Sequence, residues 1–231
     1  MNIYAVSDLH LSGAAPKAMD IFGDHWRNHF EQIKSAWLQA VGEDDVVLIA
    51  GDISWAMHLS DAKVDLDAIG ALPGKKIMIR GNHDFWWGSI SRVRAALAEG
   101  TYALQNDSVT LGASAFAGSR GWTCPGGTHY TQEDEKIYNR ELMRLEMSLA
   151  HAAKSQKPII GMIHYPPFNE RQEPSGFTEL FERFEVRKVV YGHLHGASVK
   201  SAFNGVINGV QYILTSCDAI GFAPKRIQTA D

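Results

Sequence analysis

The sequence predicts an α/β fold in which a pair of mixed β-sheets carries helices on its outer sides. Short apolar, β-branched runs indicate buried strands, longer segments with apolar residues every three or four positions indicate helices, and late alternating segments indicate hairpins. This alternation is also typical of one doubly wound sheet, so the pattern alone leaves that architecture open. At 231 residues, the chain is expected to form a single domain.

Five apolar runs have the length and composition of buried strands. They are residues 3–6, 46–50, 76–79, 159–163 and 189–191. Each is followed closely by a polar residue that can bind metal. Rigid strands fix the geometry of such residues, and the loops beyond them leave room for a substrate.

Four segments have the periodicity or the boundary residues of helices. They span residues 22–37, about 60–72, about 89–97 and 131–153. In the first segment, His25 and His29 lie off the apolar stripe, so a solvated face is expected for both. Residues 102–119 and 197–216 alternate instead and predict two hairpins, the second with Asn-Gly turn signals at 204–205 and 208–209.

Composition and charge argue against nucleic acid and membranes as partners, and they indicate where the protein is located. The net charge of -4 and the pI near 6.2 argue against extended nucleic-acid binding, although a local basic groove stays open. No secretory signal is visible, and residues 201–217 are too short and polar to span a membrane, so a cytoplasmic location is expected. Cys124 and Cys217 are expected to be free thiols, with one disulfide as the alternative.

Five motifs collect aspartate, asparagine and histidine directly after the predicted strands. In order they are Asp8-Leu9-His10, Gly51-Asp52, Gly81-Asn82-His83-Asp84, His164 and Gly192-His193-Leu194-His195. Taken singly they are weak evidence, because Gly-Asp is a common turn and a lone histidine is more often a core residue. Gaps of about 30 to 40 residues separate most of them, which fits one strand and one helix before the chain returns to the same sheet edge.

The residue types suit metal binding. Asp8 and His10 are two residues apart, so on an extended chain their side chains face the same way, and His193 and His195 repeat this spacing. The two oxygens of Asp52 can bridge two ions, and Gly51 lets the backbone pack closely beside them.

This ordered set resembles the calcineurin-like metallophosphoesterase superfamily over residues 8–195, and its opening and length are similar to the small bacterial phosphohydrolases and phosphodiesterases. The resemblance implies a four-layer fold, with two mixed β-sheets packed as a sandwich and helices on both outer faces. It also implies two divalent ions, for which manganese is expected and iron or zinc are alternatives. The first ion would be held by Asp8, His10, Asp52 and His195, and the second by Asp52, Asn82, His164 and His193.

The resemblance further implies that a hydroxide bridging the two ions attacks phosphorus. His83 is then the candidate proton donor to the leaving group, with Asp84 orienting it and favouring its protonated form. The alternative for His83 is a role in shaping the site only.

The motifs also indicate which branch of the superfamily is similar. The residues after Asp52 lack the arginine found there in phosphoprotein phosphatases, and the third motif ends in Asp84 rather than glutamate. A small phosphoester substrate is therefore expected, with a slight preference for a diester over a monoester. A non-catalytic scaffold on the same fold is the alternative, but no ligand of the set is missing.

Substrate choice is expected to depend on the loops beside the metals. The candidate substrate-binding residues are Trp55, His58, Trp87, Arg120 and Trp122. Aromatic rings there can stack on a flat substituent, and an arginine can bind phosphate. The alternatives are that Trp86 or Trp87 packs in the core and that Arg120 is a surface charge.

Overall fold

Two mixed sheets form the centre of the protein, which a computed structural model describes over residues 1–128 and 130–228. The first sheet has the order β11-β1-β2-β3-β4. Its strands are β1 (Ile3–Val6), β2 (Val46–Ile49), β3 (Lys75–Met78), β4 (Thr101–Ala103) and β11 (Lys225–Gln228). The second sheet has the order β5-β6-β7-β8-β10-β9. Its strands are β5 (Ser108–Leu111), β6 (Ser114–Ser119), β7 (Ile159–Ile163), β8 (Lys188–Tyr191), β9 (Gly205–Ile207) and β10 (Val210–Leu214).

Alternate residues of each strand face two different layers. In β1, Ile3 and Ala5 pack between the sheets against residues such as Ile160 of the second sheet. Tyr4 and Val6 point the other way, into a core beneath the helices α1 (His29–Ala40), α2 (Leu59–Gly70) and α3 (Ile90–Ala96). A third core lies between the second sheet and the helices α4 (Gln132–Ala153) and α5 (Gly176–Arg183). The predicted four-layer sandwich is confirmed, and the single doubly wound sheet is wrong.

The first predicted helix is shorter than its periodicity indicates. Residues 20–22 and 24–26 form two 3-10 turns, and α1 begins only at His29. Gly23 at φ 128° and Asn28 at φ 53° interrupt the helical path. Phe22 is consequently exposed. His29 is also a correction, because it is half-buried with its Nε2 atom 2.8 Å from the Leu9 carbonyl oxygen.

The other three predicted helices are confirmed to within about two residues at each end. Thr131 begins α4 with a capping box, in which its side chain accepts from the Asp134 amide and the Asp134 side chain accepts from the Thr131 amide. The short helix α5 and the polar strand β11 were not predicted from the sequence.

The two predicted hairpins are confirmed in part. The strand at 101–103 pairs in parallel with β3, and the chain then crosses to the second sheet before the β5–β6 hairpin. Asn208 and Gly209 form the β9–β10 turn, both with positive φ. Asn204 makes no turn, since its side chain instead accepts a hydrogen bond from the Leu214 amide at 2.9 Å.

Two expectations from composition are also tested. Cys124 and Cys217 are both free and buried, which confirms the free thiols. Among the described residues, none of the helices combines the length and the apolar character that crossing a bilayer requires.

Candidate metal centre

The five motifs meet where the carboxyl ends of β1, β2, β3, β7 and β8 come together at one edge of the sandwich. Backbone hydrogen bonds join the motif loops to each other: the Asp8 amide donates to the Gly51 carbonyl, and the His10 amide donates to the Asp52 carbonyl. The Gly192 amide donates to the His164 carbonyl at 3.1 Å. The loops are therefore held in register by the backbone as well as by the strands.

All seven predicted metal ligands come together at this edge. One ligand atom each from Asp8, His10 and His195 lies within 4.8 Å of the others, and the same holds for Asp8, Asp52 and His164. Asp52 Oδ2 lies 3.8 Å from His10 Nε2 and 3.5 Å from His164 Nε2, so it is between the two groups. The Asn82 Oδ1 atom lies 2.7 Å from His164 Nε2 and 2.9 Å from His193 Nδ1.

The backbone brings these side chains together in a way that the sequence did not predict. Asp8, His10, Asp52 and His193 all have positive φ, at 60°, 46°, 52° and 72°. The prediction that Asp8 and His10, and likewise His193 and His195, converge because the chain is extended is therefore wrong. Left-handed backbone is unfavourable for residues other than glycine, and it clusters at functional sites where the surroundings hold it in place.

Three glycines allow the carboxylates and an imidazole to approach the backbone. A Cβ atom on Gly81 would lie 2.1 Å from Asp52 Oδ1, and one on Gly192 would lie 2.4 Å from Asp8 Oδ2. Gly51 has φ 90°, and a Cβ atom there would lie 2.7 Å from His164 Nδ1. The predicted close packing at Gly51 is confirmed, and any side chain at these positions would displace a predicted ligand.

Hydrogen bonds fix the orientation of two imidazoles. His164 Nδ1 lies 2.9 Å from the Ala50 carbonyl oxygen, which directs Nε2 to the centre of the site. His195 Nδ1 lies 3.0 Å from Asp218 Oδ1, and the Gly196 amide donates to Asp218 Oδ2 at 2.9 Å. Such partners are typical of metal-binding histidines, because they set the tautomer and the ring orientation. Sequence reasoning missed Asp218, although it follows β10 as the other motifs follow their strands.

Burial sets the charge of this group. It lowers the pKa of His10 and of His193 to about 3, which keeps both rings in the neutral form that binds metal. It raises the pKa of Asp52 to about 7, with Asp84 and Asp8 adding repulsion. Burial alone lowers the pKa of His195, but Asp218 and Asp8 together raise it to about 10.

The donor set fits divalent cations. Among the described residues, His10 Nδ1 and His195 Nε2 are buried without a hydrogen-bond partner. His195 Nε2 lies 3.1 Å from Asp8 Oδ1, although without hydrogen-bond geometry. Leaving a buried nitrogen unpaired is costly, and a cation bound by His195 Nε2 and Asp8 Oδ1 would remove that cost at His195. Imidazole nitrogens with carboxylate and amide oxygens, and no thiolate, suit manganese, iron or zinc.

His83 lies at the side of the His10 ring. Its ring centroid is 4.5 Å from that of Trp55 and 5.7 Å from that of His10, and its backbone amide donates to Asp52 Oδ1 at 2.8 Å. Half-burial lowers the pKa of His83, with the nearby His164 charge acting in the same direction, whereas the Asp84 charge raises it. The Asp84 charge therefore acts in the predicted direction, towards the protonated form, but burial outweighs it.

Asp84 does not orient His83 as predicted. Its oxygens accept from the amides of Ile53, Ser54 and Gly81 and from the Trp86 indole. The carboxylate is fully buried and joins the second motif loop to the third. It thus fixes the loops that carry Asp52 and Asn82.

The candidate substrate-binding residues are in different environments. Trp55 lines the site, stacked on His10 at 4.7 Å and 20° and covered by Lys17 Nζ at 4.6 Å. His58 is exposed at the start of α2, where its carbonyl accepts from the first turn. Trp87 is 2% exposed and packs in the core beneath the helices, which corrects its assignment and confirms the alternative.

Trp122 and Arg120 lie behind the His193 side of the site. The Trp122 ring packs on Tyr165 at 4.9 Å, and Tyr165 packs on His193 at 4.1 Å. The Arg120 guanidinium lies 4.6 Å over Trp122 and donates to Glu141 at 3.3 Å. Arg120 is thus neither a surface charge nor free to move. His129, which belongs to none of the five motifs, lies outside the described residues.

Aspartate, histidine and asparagine side chains thus cluster at one edge of a four-layer sandwich. This fold and this kind of site are together typical of metallophosphoesterases. The sequence profile described as "Calcineurin-like phosphoesterase" matches residues 1–197, and the chain belongs to that family. It is similar to the Gene 66 protein of Mycobacterium phage D29, with 40% identity over 88 residues, which is 36% of this chain and 40% of the phage protein. The Gene 66 protein of Mycobacterium phage L5 is 35% identical over 86 residues, with the same shares of the two chains. The match therefore spans about two fifths of the length of these curated relatives.

Two solved structures share the fold at low sequence identity. A protein of unknown function from Aquifex aeolicus has a TM-score of 0.51 at 15% identity, covering 97% of this chain and 94% of its own. The phosphopantetheinyl hydrolase from Mycobacterium tuberculosis has a TM-score of 0.52 at 15% identity, covering 96% of this chain and 91% of its own. At this identity the likeness concerns the fold alone.

Proposed function

We propose that the protein is a metal-dependent phosphohydrolase that cleaves a small phosphoester, with a slight preference for diesters. The convergence of all seven ligand side chains at one sheet edge carries this proposal, and the family membership supports it. The first ion would be held by Asp8, His10, Asp52 and His195, and the second by Asp52, Asn82, His164 and His193. Two divalent ions there, manganese in the first instance, would supply a nucleophilic water at neutral pH and neutralise charge on the phosphoryl oxygens.

His83 is proposed to give a proton to the leaving oxygen. Its ring lies beside Trp55 and His10, on the side of the first ion. Its backbone amide is fixed by Asp52, so the ring is carried on a loop tied to the reaction centre. Proton donation by a positioned side chain is most valuable when the leaving group is a poor one.

A cavity on the side of the second ion supports the preference for a diester. It has a volume of about 190 Å³ and opens beside His193 and Tyr165. Its wall is mainly apolar and aromatic, and Glu170 is the one charged side chain among the described residues that line it. An uncharged or cationic substituent fits such a wall better than an anionic one. A diester has such a second substituent to fill the cavity while the leaving group departs on the His83 side.

A hydrolysis panel with manganese tests the proposal. It compares bis-p-nitrophenyl phosphate, p-nitrophenyl phosphate, cyclic nucleotides and short oligonucleotides, with metal content measured on the same samples. We expect the highest kcat/KM on a small diester. Faster cleavage of the monoester would favour a phosphomonoesterase, and no turnover on any of them with two metals bound would contradict the hydrolase.

A cavity-filling variant tests the diester preference separately. Ala202 lines the cavity and is half-buried, so Ala202→Leu should lower kcat/KM for the diester while sparing the monoester. Ala197 is exposed on the 3-10 helix Gly196–Ser201, which directly precedes Ala202, and it does not line the cavity, so Ala197→Leu is the matched control. Equal losses on both substrates in Ala202→Leu would contradict this use of the cavity.

A further inference from the structure

A second, smaller cavity lies between the ends of β3, β4 and β6 and is closed by α4. Its volume is about 130 Å³. The polar side chains in its wall include Arg80, Arg120, Arg144, Glu141, Gln105 and Ser119. None of the seven predicted metal ligands is among the described residues that line it. The cavity is therefore a separate site on the far side of the third motif loop.

The charges around this cavity do not balance. Glu141 is 1% exposed and accepts from Arg120 Nη2 at 3.3 Å and from Arg144 Nη1 at 2.7 Å. Arg80 uses its Nε atom to donate to the Asp84 carbonyl at 3.2 Å. Three guanidinium groups thus face one carboxylate, so the described residues that line the cavity carry an excess of two positive charges.

One of these arginines, Arg120, is only 15% exposed and is also incompletely bonded. Arg120 Nε is buried and has no hydrogen-bond partner among the described residues. Burial lowers the pKa of Arg120, and the repulsion from Arg80 and Arg144 acts in the same direction, against the attraction of Glu141. A buried donor without an acceptor, next to two other cations, is a cost that an anion in the cavity would remove.

We propose that this cavity binds a small oxyanion, such as a phosphate group, between Arg80, Arg120 and Arg144. Guanidinium groups match the geometry of phosphate oxygens, and Ser119 and Gln105 offer further donors. The oxyanion is either free inorganic phosphate or a second phosphate carried by the substrate.

Bound there, the anion would brace two loops of the metal centre. Arg80 is bonded to the backbone of the third motif at Asp84. The Arg120 carbonyl accepts from the amides of His164 and Tyr165, at 3.1 and 3.0 Å. Neutralising the arginines therefore stabilises the segments that carry Asn82 and His164.

Calorimetric titration of inorganic phosphate into the metal-loaded full chain tests the site. We expect two binding events, one at the metal centre and one in the cavity. The first should be lost in Asp52→Asn. The second should weaken at least about tenfold in Arg80→Gln, because this variant loses a charge-assisted hydrogen bond. Arg80→Lys should keep most of the affinity because it keeps the charge. Arg140, exposed on α4 one turn before Arg144 and outside this cavity, gives the control Arg140→Gln.

A second variant guards against a folding artefact. Arg144 is 38% exposed, so Arg144→Gln removes one cation at less structural cost than a change at Arg120. Its unfolding midpoint is measured beside the titration. A single phosphate event that Arg80→Gln and Arg144→Gln both leave unchanged would overturn the proposal. The titration requires no turnover, so this result is distinct from failure of the proposed hydrolase.

A kinetic arm separates the two sources of the oxyanion. Arg144→Gln is used here, because Arg144 contacts Glu141 rather than a motif loop. If the substrate carries the oxyanion, this variant should raise KM for a diester with an additional phosphate several-fold more than KM for bis-p-nitrophenyl phosphate. If free phosphate is the ligand, the two KM values should change by the same factor while the second binding event weakens. Either pattern supports an oxyanion site and assigns its ligand.

Discussion

The two halves of the candidate metal centre hold their ligands by different means. In the first half, His195 is oriented by the Asp218 carboxylate, and the His10 ring is stacked on Trp55. In the second half, His164 is oriented by the Ala50 backbone carbonyl. There the neutral Asn82 amide, rather than a carboxylate, lies between the two imidazoles.

This difference predicts that one half binds its cation tightly and that the other half is open to the substrate. The first half combines the negative charges of Asp8 and Asp218 with an aromatic cover, so it favours a strongly held cation. Apart from the shared Asp52, the second half supplies neutral donors, and it opens to the cavity beside His193. We infer that the first ion is held more tightly, and that the second ion exchanges more readily and faces the substrate.

The largest expected effect comes from a change that acts on both halves of the metal centre. Asp52 lies between both ligand groups, so Asp52→Asn should weaken the binding of both ions. It should also lower kcat/KM by at least about a hundredfold, because changing a residue that only hydrogen-bonds to a metal ligand already costs about 10- to 100-fold. Metal content by mass spectrometry and diester hydrolysis measure it, with the exposed Asp44→Asn as control. Loss of one ion only, with the other at full occupancy, would contradict a shared role.

The next largest effect concerns proton donation by His83, which lies beside the first half of the metal centre. His83→Ala should leave both metals bound and lower kcat about a hundredfold on a diester with an alkyl leaving group, since general acids contribute about 10²- to 10⁴-fold. With p-nitrophenolate, which needs little protonation, the loss should be small. Unchanged turnover on the alkyl substrate would leave His83 with a role in shaping the site only.

A change at Asp218 should affect one half and spare the other. Asp218→Asn removes the negative partner of His195, and we expect the first ion to bind about 10- to 100-fold more weakly. The second ion should be affected little, because the orientation of His164 depends on a backbone carbonyl. Competitive manganese titrations resolve the two affinities. Equal weakening of both would contradict the separation of the halves.

The parts of the fold that the sequence predicts are those with local causes. Buried strands are encoded in short apolar runs, and the residues after them are brought to one edge by parallel pairing. The start of α1 could not be predicted in the same way, because its apolar spacing continues through Gly23 and Asn28, whose positive φ ends the helical path. The strand at 101–103 joins the first sheet through tertiary pairing that local turn signals do not report.

The site was predictable in its residue types and less so in its geometry. The order of the motifs identifies the seven side chains, but the left-handed backbone at Asp8 and His10 is held by contacts between loops. Asp84 was assigned to His83, its neighbour in sequence, whereas its partners Ile53 and Ser54 lie in the loop that follows the second motif. Asp218 also follows a strand, but a single aspartate outside the motifs has no assigned partner in the sequence, so its role is identified by its contact with His195.

The smallest expected effects come from two tryptophans, one beside each half of the metal centre. Changing them tests whether each ring shields the metal ligands or binds substrate. Trp55 stacks on His10, and Trp122 packs on Tyr165, which covers His193. Aromatic pairs contribute about 0.5–1.5 kcal/mol, so Trp55→Leu should weaken the first ion by about twofold to tenfold, and Trp122→Leu should weaken the second by no more than that. Each variant serves as the control for the other in the same manganese titrations. If either ring instead binds substrate, KM for the diester will rise while both metal affinities stay unchanged, and its role as cover for the metal centre is then wrong.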